Sequence, residues 1–363
     1  MSSKEETLKK IRSVAQNIKN MVEQDQAPVL SSPVRSLSNV DYDATVGHFV
    51  LKGSTKERQL NANTIKTFAQ TLLLLKEAKE VVETDDIMTK REAYYVSKNW
   101  GDAKFNEQPE SDSVMDDIEA MLGILREALG FIPEEDGGAV AGKLVIIDQD
   151  PETKKDIRID CTKFGSGAYN IPSDVEELRF ETDAKFVLAI ETAGMFQRLV
   201  KNKFYTKHNC ILVSMKGVPS RATRRFVRRL ADDKKLPVFV FVDGDPYGHT
   251  NIYRTFKVGS GNAAHVNQYF CVPQAKLLGV TPKDIEDYDL PTHELKSVDI
   301  KRAKDALKND PFIKQHPKWQ EAIKLMLKQG KRSEQQSLAK YGLNYVAEKY
   351  LPEKLANPDS WLP

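Results

Sequence analysis

Three carboxylates stand where chemistry could be done. Glu191 closes the apolar run FVLAIE (186–191), Asp243 closes VFVFVD (238–243), and Asp245 follows one residue later. Short apolar, β-branched runs of this kind predict buried strands. In parallel sheets, ligands gather beyond the carboxyl ends of the strands, so both acidic positions fall on the functional edge. Hard oxygen ligands there suit Mg²⁺, which takes a few carboxylates and keeps its remaining positions for water and substrate phosphate. Gly244 lets the backbone turn so that both aspartates can face one ion. Asp-Gly-Asp-Pro taken alone is also an ordinary turn, but a turn does not account for Glu191 at a second strand end.

A second group lies far upstream in REAYYVSKNW (91–100). Tyrosines on helices are mostly core or interface anchors. The other reading of Tyr94 or Tyr95 is a nucleophile that attacks phosphorus and forms a covalent ester. A free phenol ionises near pH ~10, so it needs a cation, a base or a metal-held phosphate beside it. Arg91 precedes Tyr95 by four residues, on the same helix face, and could hold a scissile phosphate and its developing charge. A third group is SRATRRFVRRL (220–230), where Arg221, Arg224, Arg225, Arg228 and Arg229 line one side of a predicted helix and Phe226, Val227 and Leu230 the other. That side is either a solvated face or a set of phosphate contacts. His249, beside the acids, is expected to be structural or phosphate-adjacent. Gly137 and Gly142-Lys143 imitate a phosphate-binding loop, but Leu144 stands where Ser or Thr should hold Mg²⁺ and the motif precedes its strand. No ATP site is therefore read in this chain.

These side chains need elements to position them. Residues 4–24 predict an amphipathic helix, with Leu8, Ile11, Ala15, Ile18 and Val22 in one seam. That seam must cover another chain or dock elsewhere on this one, because the Ser- and Pro-containing stretch 25–46 reads as a linker or extended arm. Helices are expected over 64–83, from a Thr89 cap to about 98, and from a Ser111 or Asp112 cap to Gly130. Three short helices followed by a Gly-containing hairpin-like stretch suggest a winged-helix domain. Beyond 140, strand runs at Leu144–Ile147, Phe186–Ile190, Ile211–Met215, Val238–Val242 and, more weakly, Val266–Val272 alternate with helices near 194–203, 220–231 and 247–256. Such alternation predicts a largely parallel, buried sheet. From about 290 the chain reads as helical and lysine-rich, with Trp319, Tyr345 and Tyr350 as anchors. The expected class is multi-domain α/β: arm 1–60, winged helix 61–140, and a metal-binding α/β domain with a helical C-terminal part over 141–363.

At 363 residues the chain is too long for one ordinary core. The three cysteines, Cys161, Cys210 and Cys271, are far apart and without metal-ligand spacing. This fits a reducing interior and excludes a disulfide frame or a zinc site. No apolar run is long enough to predict a transmembrane helix. Net charge is only +2, so overall charge does not announce a nucleic-acid partner. Basic residues nevertheless dominate from Arg198 to Lys235 and acids from Glu107 to Glu119, which reads either as two solvated faces or as a DNA track beside an acidic partner surface.

REAYYVSKNW, the glutamate within FVLAIETAGMFQRL (186–199) and VFVDGDPYGHTNIYRTFKVGS (240–260) together resemble the A subunit of the DNA topoisomerase VI family, which includes the related meiotic double-strand-break protein. The likeness runs over roughly 60–363 and preserves the order of tyrosine-bearing winged helix and then Toprim domain. It implies that Tyr95, the second of the pair, is the nucleophile, supported by Arg91, with Glu191, Asp243 and Asp245 holding Mg²⁺. It implies transient cutting of both strands of duplex DNA through covalent 5′-phosphotyrosyl ends. It also implies a dimer of A subunits within an A2B2 assembly, in which one protomer's tyrosine works beside the other's metal site. The ATP-binding B subunit would be reached through the N-terminal helix, in a cytoplasmic, nucleoid-associated, archaeal-type setting. The alternatives are a Toprim-type Mg²⁺ nuclease with structural tyrosines and a non-catalytic winged-helix DNA-binding subunit.

Overall fold

The structure is a computed structural model that describes residues 3–133 and 137–363. It forms two compact units, one of Met1–Val40, Leu51–Glu135 and Gly261–Val266, the other of Asp41–Val50, Asp136–Ser260 and Asn267–Pro363.

In the first unit, helix α1 (Lys4–Glu23) is capped by Ser3, whose side chain accepts from the Glu6 amide at 3.2 Å, with Glu5 and Glu6 in the first turn against the helix dipole. It docks within its own unit, on α2 (Ile65–Thr84). Thr7 and Ile11 are buried there, while Val22, in the predicted seam, is 57% exposed. Lys4 to Asp85 at 2.8 Å and Arg12 to Glu83 at 2.9 Å pin the helix. The expected linker is partly strand. Val29–Pro33 pairs antiparallel with Thr55–Gln59, and Arg35 (2.8 Å) and Lys56 (2.8 Å) fasten the ribbon's neighbourhood to buried Asp117. Ser and Pro are tolerated in such a short two-stranded ribbon, so composition alone misses it.

Helix α3 (Lys90–Val96) begins with a full capping box: the Glu92 amide donates to Thr89 Oγ1 (3.1 Å) and the Thr89 amide to Glu92 Oε2 (2.7 Å). Helix α4 (Gln108–Leu122) starts earlier than its expected cap, with Pro109 in the first turn, and ends at Gly123 (φ 61°), not at Gly130. Ile124, Leu125 and Leu129 stay buried beyond it, which is why they read as more helix. Leu74, Ala78, Ala93, Phe105, Met115 and Ile118 form the core of this winged-helix unit. A two-residue parallel pair, Met88–Thr89 with Phe131–Ile132, closes it. The expected hairpin after Gly130 is corrected: the strand Ala139–Gly142 joins the other unit's sheet, so residue 140 lies inside a strand.

That sheet has strands β1 (Ala139–Gly142), β2 (Tyr169–Asn170), β3 (Phe186–Ile190), β4 (Cys210–Ser214), β5 (Val238–Phe241) and β6 (Lys276–Gly279), in the order β2-β1-β4-β3-β5-β6. Strands β4, β3, β5 and β6 run parallel, and β1 is antiparallel to β4. β3, β4 and β5 are buried along their whole length, so their apolar runs are continuous and do not alternate. Two strand expectations are corrected. Leu144–Ile147 overlaps strand Val145–Gln149, which lies in a separate antiparallel sheet with Asp156–Asp160 and Arg179–Glu181. Val266–Val272 contains a helical turn, Asn267–Phe270, and the parallel edge strand is β6. Asn267 donates to the Phe49 carbonyl at 3.1 Å, a side-chain bond that favours the turn. The tail is helical, and Trp319 and Tyr350 are fully buried.

Candidate active site

Glu191 directly follows β3, Asp243 lies two residues beyond the end of β5, and the two strands are neighbours. Their parallel register brings the acids to one sheet edge. The Asp243 amide donates to Glu191 Oε2 at 2.8 Å. Asp245 turns back on its own chain and accepts from the Gly248 amide at 2.6 Å, at the start of the helical segment that carries the π turn Gly248–Tyr253. A Cβ on Gly248 would sit 2.5 Å from the Asp243 carbonyl oxygen, and one on Gly244 3.0–3.1 Å from Val280 and Ser333. Both positions need glycine for close approach.

Sequence reasoning missed the wall opposite the acids. The segment 332–335 comes from the helical tail. Gly244 and Ser333 exchange backbone bonds (2.7 and 3.2 Å), and the Gln335 amide donates to Asp243 Oδ1 at 2.8 Å. The wholly buried Gln335 side chain donates to the Phe241 carbonyl (2.7 Å) and accepts from Thr192 Oγ1 (2.8 Å). It therefore spans the ends of both acid-bearing strands. Arg332 brings a cation, with Nη1 3.7 Å from Asp245 Oδ2. Nothing in the local pattern KRSEQQ marks these residues, which lie about ninety positions beyond Asp243.

The electrostatics are those of a site short of positive charge. Burial, then the charge of Asp243, pushes the Glu191 carboxyl up to about 8, against the Asp243 amide that favours its anion; Asp245 and Glu334 add to the rise. Burial likewise raises Asp243 to about 6, opposed by the Gln335 amide and by Arg332 and reinforced by Asp245 and Glu334. The donor set fits a hard divalent cation: one buried and two partly buried carboxylates whose mutual repulsion such an ion would relieve. Among the described residues, however, no three His, Cys, Asp or Glu are already gathered as a cage. Each acid instead leans on a backbone amide.

Tyr94 and Tyr95 differ sharply. Tyr94 packs against the unit's core, its hydroxyl donates to the Asn106 carbonyl (3.2 Å), and Lys98 Nζ sits 3.9 Å from its ring centre. Tyr95 is 56% exposed. Arg91 is exposed on the same helix. The structure thus brings the three acids together in one unit and places Tyr95 and Arg91 on one helix of the other.

The basic helix, Arg221–Lys234, is turned inward more than expected. Arg225 grips Glu176 with two donors (2.5 and 2.8 Å) and Arg228 donates to the Cys271 carbonyl at 2.8 Å. Arg224 is buried, and Arg221 and Arg224 both lie against the Phe270 ring. These arginines staple distant segments to their own helix. Their partners at 176, 270 and 271 are invisible to a helical-face pattern. His249 is buried, shares a bond with the Val280 carbonyl (2.9 Å), stands edge-on to Trp319, and is held toward its neutral form by burial.

Comparison with known proteins accords with this layout. The family described as "Type IIB DNA topoisomerase" matches residues 66–131, and "All-beta domain in DNA topoisomerase VI alpha subunit" matches 134–184. The Toprim domain shared by the topoisomerase 6 A subunit and Spo11 matches 186–355. The chain is 57% identical to the A subunit of type 2 DNA topoisomerase 6 from Methanocaldococcus jannaschii, over 98% of this chain and 95% of that one. The chain belongs to the type IIB topoisomerase A-subunit family. Its counterpart in Methanothermobacter thermautotrophicus is 41% identical over 98% of both chains, and that of Archaeoglobus fulgidus 40% over 96% of both. A type IIB topoisomerase A subunit is a component of an enzyme, and its Toprim domain implies use of a divalent cation. Among the described residues no helix is long and apolar enough to cross a membrane.

Proposed function

We propose that this chain is the DNA-cleaving and rejoining subunit of an ATP-dependent type II topoisomerase, with Tyr95 as the nucleophile. The observation that carries the reading is the contrast on α3. Tyr94 is tied to the core and to a carbonyl, whereas Tyr95 stands exposed on a helix fixed by a capping box. In this reading Tyr95 Oη gives up its proton and bonds to a backbone phosphorus. The P–O3′ bond breaks, the 3′ oxygen takes up a proton, and a 5′-phosphotyrosyl ester retains the end. Rejoining is the reverse: the 3′ hydroxyl attacks the ester, and the phenol regains its proton. Arg91, one turn before Tyr95, would hold the non-bridging oxygens. Glu191, Asp243 and Asp245 would hold Mg²⁺, and a bound ion supplies charge neutralisation and orientation of the DNA phosphates. Gln335 keeps the acid-bearing strand ends in register. The basic helix enters as scaffold, since Arg225 and Arg228 already have internal partners.

The relatives' designation as A subunits supports the partner assignment: an ATP-binding B subunit, two A chains in an A2B2 assembly supplying one tyrosine per strand, and duplex DNA in a nucleoid setting. The outward face of α1, with Val22 exposed, is the proposed B-subunit contact. The test is supercoiled plasmid with the chain, its B subunit, ATP and Mg²⁺. Tyr95→Phe should lose both relaxation and protein-linked ends. Cutting that survives in Tyr95→Phe without protein-linked ends would identify a nuclease instead.

A further inference from the structure

Arg332 sits on the two-residue strand Lys331–Arg332, paired with His293–Glu294. Its side chain is 20% exposed and lies between two carboxylates, with Nη1 3.7 Å from Asp245 Oδ2 and Nε 4.0 Å from Asp299 Oδ2. Buried Nε has no hydrogen-bond partner. A settled arginine–carboxylate pair is short and often bidentate, as Arg225 and Glu176 are in this same unit. Arg332 is settled on neither acid. Asp299 has other partners as well: its Oδ2 accepts from the Lys296 amide at 3.1 Å, and its Oδ1 is 3.7 Å from Arg302 Nη1.

We propose that Arg332 is the resident counter-ion of Asp245, displaced toward Asp299 when a divalent cation occupies the acid site, so that it sets the site's affinity for metal. This rests on the reading of Glu191, Asp243 and Asp245 as cation ligands. Without an ion, the partly buried acidic edge needs positive charge, and among the described residues Arg332 is a cation that stands against Asp245. With an ion bound, the guanidinium and the metal repel one another and compete for the same carboxylate, so displacing Arg332 subtracts from metal affinity. Asp299 provides a second anion within reach, so the arginine is never left buried beside a like charge without compensation.

The test is calorimetric titration of Mn²⁺ into the full chain, with thermal melting of the metal-free protein confirming the fold. Arg332→Gln should bind Mn²⁺ more tightly, by about fivefold for a partly buried pair of this geometry. Asp299→Asn, which keeps a side-chain acceptor for the Lys296 amide, should bind it more weakly. Unchanged or weakened affinity in Arg332→Gln overturns the inference. Should that variant not fold, unchanged or tighter binding in Asp299→Asn overturns it by itself. Failure of the underlying metal reading looks different: wild type then takes up no Mn²⁺, or takes it up equally well as Asp245→Asn.

Discussion

The two halves of the candidate chemistry are built on opposite plans. Glu191 is buried and Asp243 and Asp245 are partly so, at one edge of neighbouring parallel strands, and each accepts from a backbone amide contributed by a loop, a helix start or the C-terminal tail. Tyr95 is exposed on a seven-residue helix held by a capping box, by the Tyr94 anchor and by Ala93 in its unit's core. An ion site gains from rigid, desolvated oxygens. A nucleophile that must meet a large substrate gains from accessibility. The comparison teaches that damage to the acids should separate function from stability, whereas damage around the tyrosine should scale with the helix.

The largest separation is expected at Asp243. Asp243→Asn should lower Mg²⁺-dependent cleavage by about 10³-fold, because it removes a ligand of the ion whose positive charge would stabilise the reacting phosphate. The same change should stabilise the metal-free chain at pH 8 by about 2 kcal/mol, because it removes a partly buried anion whose carboxyl is raised to about 6. Denaturant melts read the second effect, and a destabilised variant would contradict it. The pH dependence has a defined sign. Glu191 (about 8) and Asp243 (about 6) hold protons more tightly folded than unfolded. Their contribution is therefore fully present below about pH 4 and is lost as pH rises from there, up to about 6 for Asp243 and about 8 for Glu191. Metal-free wild type should lose stability relative to Glu191→Gln across that window, and Mg²⁺ should restore it. A constant difference between the two chains would contradict the raised carboxyls.

Next in size is Gln335→Ala. Removing the link between the Phe241 carbonyl and Thr192 leaves buried groups unpaired, at about 2 kcal/mol. The resulting misplacement should slow cleavage by about 100-fold. Wild-type cleavage in a folded Gln335→Ala chain would remove that residue from the account. Thr89→Ala is smaller. Loss of the cap should cost about 1 kcal/mol, with Thr89→Ser restoring it, and should slow cleavage only severalfold. Smallest is Tyr94→Phe, which loses one hydroxyl bond to Asn106, worth about 1 kcal/mol, and should keep cleaving.

Much of this was legible from local signals. The apolar runs ending in Glu191 and Asp243 needed only their short length and apolar, β-branched composition, and the Thr89 cap announced α3. Other features depend on pairings between distant residues. Gln335 and Arg332 reach the acids from a tail with no motif spacing. The arginines of 221–228 read as a solvated or phosphate-binding face until Glu176, Phe270 and Cys271 are seen against them. The edge strand β6 is only four residues, too short to outweigh the longer apolar run at Val266–Val272.

The central claim is that Tyr95, not Tyr94, carries the broken DNA end. Both lie in the tryptic peptide 92–98, EAYYVSK. Cleavage complexes trapped with the B subunit, ATP and Mg²⁺, digested with nuclease and trypsin, and fragmented in the mass spectrometer should show a nucleotide adduct on Tyr95 and an unmodified Tyr94. An adduct on Tyr94, or cut DNA with no adduct on this peptide, would contradict the account.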